Sequence, residues 1–164
     1  MGSIQNIIRK CQDVEAQSIS PIATVESALK KMDENDLGAL LVMDFSHLLG
    51  IFSERDYARK ILLRGKSSLT TPIYEVMTTN LISVTPHYGL TDCLAVMSAN
   101  QVRHLPVVEN EKVLALLAIE DVAFALIESH EFVIDELTSY ITGSHECKNQ
   151  VPNLAYFLEM SVQH

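Results

Sequence analysis

The sequence has few of the residues that build common cofactor and metal sites. It contains no tryptophan and only three cysteines in 164 residues, at positions 11, 93 and 147. No Cys-x-x-Cys occurs, so neither a disulfide framework nor a zinc site is indicated. His145 and Cys147 give the one short metal-like spacing, and two ligands in a polar segment are too few to predict a metal.

Basic residues are also scarce. Twelve Lys and Arg stand against 21 Asp and Glu, for a net charge of −9, which argues against broad binding to nucleic acid or to an anionic membrane. No apolar run reaches the ~18 residues that span a bilayer. The start, MGSIQNIIRKC, shows neither a secretory h-region nor a myristoylation pattern. We therefore expect a cytoplasmic protein.

Motifs of the common enzyme classes are missing. The sequence has no G-x-G-x-x-G after a strand, no P-loop and no G-x-S-x-G turn. The histidines at 47, 87, 104 and 130 show no spacing that builds a metal or acid–base site. The sequence predicts no enzyme.

An internal duplication organises the chain. Shifted by 65 positions, residues 19–62 align with residues 84–127 without a gap, and nine of the 44 pairs are identical, including Leu29 with Leu94 and Asp56 with Asp121. Many other pairs exchange one apolar residue for another. Two copies of one structural unit are indicated.

Each copy predicts the order strand, helix, strand, strand, helix. In the first copy a short extended piece, SISP, precedes the amphipathic TVESALKKMDEN, two apolar runs follow, and ERDYARKILLRG closes the unit. One copy of roughly 45 residues buries too little apolar surface to be stable alone. The predicted fold is therefore α/β (α+β): two β-α-β-β-α repeats packed sheet against sheet about a pseudo-twofold axis.

The duplication also sets Cys93 against Ala28, which favours a small buried residue over a nucleophile.

The predicted boundaries give five segments. They are an N-terminal helix and lead-in (1–15), the first repeat (16–66), a connector (67–80), the second repeat with an extended C-terminal helix (81–143) and a C-terminal extension (144–164). The extension is interpreted either as a segment that docks on its own or a partner subunit or as a disordered tail. Long apolar helix faces between residues 120 and 142 favour a homodimer.

The turn after the last strand of the first copy has two interpretations. Ser53 and Asp56 form a good N-cap pair for a helix. They could equally face one ligand, because a carboxylate accepts hydrogen bonds from vicinal hydroxyls. The second copy keeps Asp121 but has Ala118 in place of Ser53, so a ligand site would be better formed in the first copy.

Three stretches carry a family resemblance: GIFSERDYARKI, GKSSLTTPIYEVMT and VRHLPVVENEKVLALLAIEDV. In this order, with the duplication, they resemble the tandem cystathionine-β-synthase (CBS) domain pair, or Bateman module, over about residues 4–143. The resemblance implies an adenosine ligand held at the Ser53/Asp56 turn, with Asp56 accepting from the ribose hydroxyls and Ser53 helping to hold phosphate. Asp121 is the corresponding residue of the second site.

The resemblance also implies further ligand contacts. Arg103 and His104 are predicted to reach phosphate; the alternative is a surface arginine and a histidine at the edge of the core. Adenine contacts are predicted near the first strand of each copy, at Ile19, Ser20, Pro21, Thr24, Val84 and Pro86. Thr24 is also a good N-cap.

The predicted function is a regulatory module that senses an adenosine-containing nucleotide (AMP, ADP, ATP, NAD(H) or S-adenosylmethionine) in the cleft between the repeats. The alternative is a protein-interaction scaffold with a vestigial pocket. The sequence names neither the nucleotide nor the regulated partner.

Overall fold

The computed structural model of the protein describes residues 4–10 and 13–142, and it describes side chains at all of these except residue 10 and residues 131–142. The predicted extension, 144–164, lies outside the described residues, as does the pair of His145 and Cys147.

The first repeat follows a short helix and contains a three-stranded sheet. Its elements, after α1 (Gln5–Lys10), are β1 (Ser18–Ile19), α2 (Val25–Glu34), β2 (Ala39–Asp44), β3 (His47–Ser53) and α3 (Glu54–Asp56). β2 pairs parallel with β1 and antiparallel with β3. Val25, Ala28 and Met32 of α2 are buried, as a 3.6-residue period requires of the face toward the core.

The last helix of the first repeat differs from the single helix that the sequence predicts. α3 is one turn, and a π-helical turn (Tyr57–Ile61) and a 3₁₀ turn (Leu62–Arg64) continue it. Both Tyr57 and Ile61 pack on the core of the repeat. The segment ends at Gly65 with a φ of 61°, a left-handed conformation that favours glycine.

The second repeat has the same order with a reduced first strand. Its elements are α4 (Leu90–Asn100), β4 (His104–Glu109), β5 (Lys112–Ala118) and α5 (Ile119–Thr142). In place of a first strand, Val84 forms a single parallel bridge with Val107. The described residues divide into two units between Ser129 and His130, and this boundary falls within α5.

Small irregularities repeat at a distance of 65 residues. The antiparallel pairs carry a bulge between Val42 and Met43 and another between Val107 and Val108. α2 and α4 each run into a residue of positive φ, Asp36 (52°) and Gln101 (53°). The β-α-β-β-α repeat and its pseudo-twofold arrangement are confirmed.

Each repeat has its own apolar core, and the segment preceding one repeat completes the core of the other. Ile4 and Ile7, before the first repeat, are buried in the core of the second. Ile73 and Val76, before the second repeat, are buried in the core of the first. Burial of one such side chain is worth about 2 kcal/mol, so both lead-in segments contribute to stability.

A third apolar cluster joins the two sheets. It contains buried Ala39 and Leu41 of β2 and Leu116 of β5, with Ile51 and Val113 packed against it. The sheets therefore meet as the sequence predicts, and polar side chains lie to either side of this contact.

Candidate functional site

The turn between β3 and α3 is a capping box. The Asp56 amide donates to Ser53 Oγ at 3.3 Å, and Asp56 Oδ2 accepts from the Ser53 amide at 3.1 Å and from Ser53 Oγ at 2.7 Å. These bonds satisfy donors that a helix start leaves free. The capping interpretation is therefore realised in the structure, and it occupies one oxygen of Asp56.

The other oxygen of Asp56 faces the connector. Asp56 Oδ1 lies 2.7 Å from Lys60 Nζ and accepts from Thr78 Oγ1 at 3.0 Å. The Asp56 side chain is 14% exposed. Thr78 is held next to β3 because its backbone exchanges two hydrogen bonds with Ile51, at 2.8 and 3.0 Å.

Gly50 allows this close approach. A Cβ built on Gly50 would lie 2.9 Å from Met77 Sδ and 2.9 Å from the Thr78 carbonyl oxygen. The equivalent residue of the second repeat is Ala115, which carries a Cβ. The connector thus contacts the first repeat in a way that the second repeat does not require.

A cleft of about 500 Å³, here called the first cleft, opens beside this turn. Both repeats line it: Ser53, Arg55, Asp56, Arg59 and Lys60 from the first, and Ile82, Gln101, Val102, Arg103 and His104 from the second. Four of its lining residues are cationic (Arg55, Arg59, Lys60 and Arg103), against two carboxylates (Glu54 and Asp56). This cleft favours an anionic ligand.

Arg55 links the two repeats across the first cleft. Its Nη1 donates to the carbonyl oxygen of Gln101 at 3.2 Å. Gln101 follows α4 with a positive φ of 53°, which turns the chain toward Arg103. The position of this guanidinium therefore depends on how the repeats are arranged.

A second cleft of about 790 Å³ occupies the pseudo-equivalent position. Leu116, Ala118 and Asp121 stand here where Ile51, Ser53 and Asp56 stand in the first cleft. Its charged lining is acidic: Asp33, Asp36, Glu54, Glu120 and Asp121, with no lysine or arginine among its lining residues. Asp121 Oδ2 accepts from the Ala118 amide at 3.3 Å. The two clefts have equivalent positions between the repeats and differ in the sign of their charge.

Comparison with known proteins identifies this arrangement. The sequence profile of the CBS domain matches residues 8–63 and 73–128. The chain belongs to the CBS domain family. A relative described as the CBS domain-containing protein CBSX3, mitochondrial, from Arabidopsis thaliana is 35% identical over 127 residues, which cover 74% of this chain and 62% of the relative. The chain thus spans less than two thirds of that relative's length.

Shorter relatives and solved structures match over most of their length. The CBS domain-containing protein YhcV from Bacillus subtilis is 29% identical over 116 residues, which cover 71% of this chain and 82% of that relative. The crystal structure of the CBS domain NE2398 superposes with a TM-score of 0.72 at 36% identity, covering 77% of this chain and 99% of that one. The CBS-domain protein ATU1752 from Agrobacterium tumefaciens gives 0.69 at 27% identity, covering 75% and 98%.

His104 lies in the wall between the two clefts of the CBS pair and lines both. Its Nε2 is 3.4 Å from the position that a Cβ on Gly38 would take. Burial, the largest cause, lowers the pKa of His104 from 6.5; Glu120, Glu54 and Asp121 oppose the shift, and Arg103 adds to it. A bound phosphate would favour the protonated form.

The structure brings Ser53, Asp56, Arg103 and His104 into the first cleft and Asp121 into the second. The six residues predicted near adenine line neither cleft. Ile19 and Ser20 line a separate surface depression, and Thr24 Oγ1 caps α2 by accepting from the Ser27 amide at 3.2 Å.

Two of the residues predicted near adenine, Ile19 and Val84, lie close in sequence to residues that line the clefts. Val84 is 2% exposed, so its side chain is used by the core. The residues that do line the clefts are Gln17 and Ile82, each two positions before the residues Ile19 and Val84 that the sequence suggested. Gln17 and Ile82 are equivalent under the 65-residue shift, and this equivalence is the feature of the sequence that could have identified them as lining residues.

The sequence predictions do not include several lining residues of the first cleft, among them Arg55, Arg59, Lys60 and Thr78. Lys60 lies four residues after Asp56, a spacing that predicts either a helical ion pair or a solvated face, and neither singles it out as a residue of a ligand site. Thr78 comes from the connector and was not identified, because its approach to Asp56 depends on tertiary packing.

Other features of the described residues bear on chemistry. Burial, assisted by Asp92, raises the pKa of the Cys93 thiol to about 11, and this fully buried residue packs as the duplication predicts. Within residues 4–10 and 13–142, no group of His, Cys, Asp and Glu is placed to hold a metal. Across the same described part of the chain, no helix is both long and apolar enough to cross a bilayer.

Proposed function

We propose that this CBS pair is a regulatory module that binds an adenosine-containing nucleotide in the first cleft. The observation that carries the proposal is the joint presence, in one cleft between repeats, of a nearly buried carboxylate and four cationic side chains. A carboxylate suits a ribose diol, and guanidinium groups suit phosphate oxygens.

Within the first cleft we assign a role to each group. Asp56 accepts from the ribose hydroxyls, and Arg103 binds phosphate, with His104 beside it in the wall. Arg55, which already reaches the second repeat through Gln101, adds positive charge. The second cleft, with its acidic lining, repels phosphate and serves as an internal control for the first.

Regulation would follow from ligand contacts to both repeats. A ligand shifts the arrangement of the repeats only if it binds one arrangement more tightly than another. The Arg55–Gln101 contact and the strand-entry residues Arg103 and His104 are the groups through which the first cleft senses that arrangement. The proposed role is regulatory and not catalytic.

One structural neighbour bears on the ligand class. The CBS domain pair of MJ0100 was solved in complex with 5-methylthioadenosine and S-adenosyl-L-methionine, and at 23% identity with a TM-score of 0.61 it shares the fold with this chain. The assignment of a phosphate-bearing ligand here is supported by the cations of the first cleft.

We further propose that the module is a homodimer through the last helix of each repeat. Leu62 and Ile127, which are equivalent under the 65-residue shift, are 64% and 54% exposed, and Leu63 and Phe124 are exposed beside them in sequence. Exposed apolar patches of this kind mark interaction surfaces. A CBS-CP12 protein of 26% identity was solved as a hexamer. The cytoplasmic location stays a prediction, and the Arabidopsis relative is described as mitochondrial.

A calorimetric titration of the full chain with AMP tests the proposed ligand. We expect binding that Asp56→Ala weakens at least tenfold while Asp121→Ala, the matched change in the second repeat, leaves it unchanged. Equal weakening by both variants would contradict the ranking of the clefts. Absence of binding by AMP, ADP, ATP, NADH and S-adenosylmethionine would support the interaction scaffold. A thermal-shift screen checks the same five ligands independently, because a ligand at 100 times its dissociation constant stabilises a fold by about 2.7 kcal/mol.

A further inference from the structure

A three-residue network holds Asp56 and has no counterpart in the second repeat. Lys60 Nζ lies 2.7 Å from Asp56 Oδ1 and donates to the Val76 carbonyl at 2.8 Å and to Thr78 Oγ1 at 3.0 Å. All three ammonium hydrogens are therefore engaged. The residues 65 positions from Lys60 and Thr78 are Ala125 and Asp13, which cannot form the same contacts.

Asp56 has no free acceptor position in this arrangement. Oδ2 accepts from the amide and the hydroxyl of Ser53, and Oδ1 accepts from Lys60 and Thr78. A carboxylate offers about four lone-pair sites. A ribose diol can bond to this carboxylate only by taking the place of a donor that is already there.

The two oxygens differ in how easily their donors are replaced. The donors on Oδ2 belong to the capping box, and their loss would leave a helix start unsatisfied. The donors on Oδ1 are the ends of two side chains, of which Lys60 is 38% exposed and can return to water. Exchange at Oδ1 therefore costs less free energy than exchange at Oδ2.

We propose that a ribose diol binds by replacing Thr78 and Lys60 on Asp56 Oδ1, and that this exchange releases the connector segment 76–78 from the ligand-binding turn. The inference rests on the proposed function and adds its regulation. After exchange, the backbone bridge between Ile51 and Thr78 still attaches the segment. The residues that follow, Asn80 to Ile82, line the first cleft and lead into the second repeat, so occupancy is transmitted along the chain.

The exchange makes Thr78 a competitor of the ligand, which fixes the sign of a mutational effect. Thr78→Val keeps the shape of the side chain and removes the hydroxyl. Because one competing hydrogen bond to a charged group is removed, we expect the full chain to bind adenosine about fivefold to tenfold more tightly. Thr78→Ser should bind as the wild type does. Adenosine is the probe because it carries no phosphate, so attraction between Lys60 and a ligand phosphate does not contribute to the measured affinity.

A second measurement follows the connector itself. Hydrogen exchange of the amides at residues 76 and 77, which bond to the Ile73 carbonyl and lie outside the Ile51–Thr78 bridge, should accelerate when adenosine is added to the wild type. 2′-Deoxyadenosine, which lacks the diol, should have less effect. Lys60→Met should accelerate the same amides without ligand. Lys30→Met is the matched control, because Lys30 pairs with Glu26 on α2 and, in the part of the chain that the structure describes, has no ion pair or hydrogen bond with residues 76–78.

The outcomes separate the two proposals. Tighter adenosine binding by Thr78→Val, with faster connector exchange in the bound wild type, supports the exchange. Unchanged or weaker binding by Thr78→Val overturns it and leaves the proposed nucleotide site standing. If AMP binds the wild type and adenosine does not, the exchange is overturned and the nucleotide site stands. Failure of both AMP and adenosine to bind the wild type and every variant overturns both proposals.

Discussion

Gly50→Ala should destabilise the protein through the connector. The added Cβ would lie 2.9 Å from both Met77 Sδ and the Thr78 carbonyl oxygen, and real Cβ atoms do not approach so closely. The sulfur belongs to a flexible side chain and can move. The carbonyl oxygen is backbone and accepts the Ile51 amide at 3.0 Å, so relief of this clash must shift the bridge between β3 and the connector.

The expected cost follows from overpacking and from the bridge. Forcing a methyl group into a packed site typically costs about 1–3 kcal/mol, and each backbone hydrogen bond that is weakened contributes up to about 1 kcal/mol. We expect the free energy of unfolding to fall by about 2 kcal/mol, which lowers the Tm by about 4–8 °C for a chain of this size.

Urea denaturation followed by circular dichroism measures this change, and Ala115→Gly is its matched control at the equivalent position of the second repeat. Ala115→Gly introduces no clash and should cost about 1–2 kcal/mol, through the conformational freedom of glycine and the lost buried methyl group. A wild-type midpoint for Gly50→Ala would refute the close approach of the connector.

Four further predictions concern single side chains. Arg103→Ala should weaken AMP about tenfold by calorimetry and leave adenosine unchanged, because a guanidinium contact to phosphate is lost; equal weakening of both ligands would contradict a phosphate role. Asp121→Asn should leave AMP affinity within twofold, since the second cleft repels phosphate. Thr24→Ala should cost about 1 kcal/mol of unfolding free energy as a lost N-cap, with AMP affinity unchanged. Burial lowers the pKa of His104 below 6.5, so the unfolded chain binds the proton more readily than the folded chain. The contribution of neutral His104 to the free energy of unfolding is fully present above pH 6.5 and is lost as the pH falls through the folded pKa. His104→Gln should flatten that part of a curve of stability against pH.

The sequence predicted the repeated architecture well because the duplication records it directly. Equivalent apolar positions, such as Val42 and Val107, fall in equivalent strands and pair with equivalent partners. The π-helical turn at Tyr57–Ile61 was not predicted, because both kinds of helix are compatible with the same apolar spacing over so few residues. The first strand of the second repeat contracts to one bridge at Val84, which the extended sequence ISVTP does not distinguish from a strand.

The site was predicted where its chemistry is local and missed where it depends on packing. Ser53 and Asp56 are three residues apart, and their turn is visible in the sequence. Thr78 lies 22 residues from Asp56 and reaches it only because Gly50 leaves room for the connector. The opposite charge of the second cleft depends on acids such as Asp36 and Glu120 that come from different repeats, and no local pattern joins them.

The crossed burial of the lead-in segments has a consequence for dissecting the chain. Cutting between residues 66 and 67 would leave a first fragment without Ile73 and Val76 and a second fragment without Ile4 and Ile7, so each half would expose a hole in its own interior and an isoleucine-bearing arm that fits the other. Neither half should persist as a folded monomer, whereas the two mixed in equal amounts should reassemble. Although the chain contains two copies of one unit, we expect that neither copy folds when it is expressed without the other.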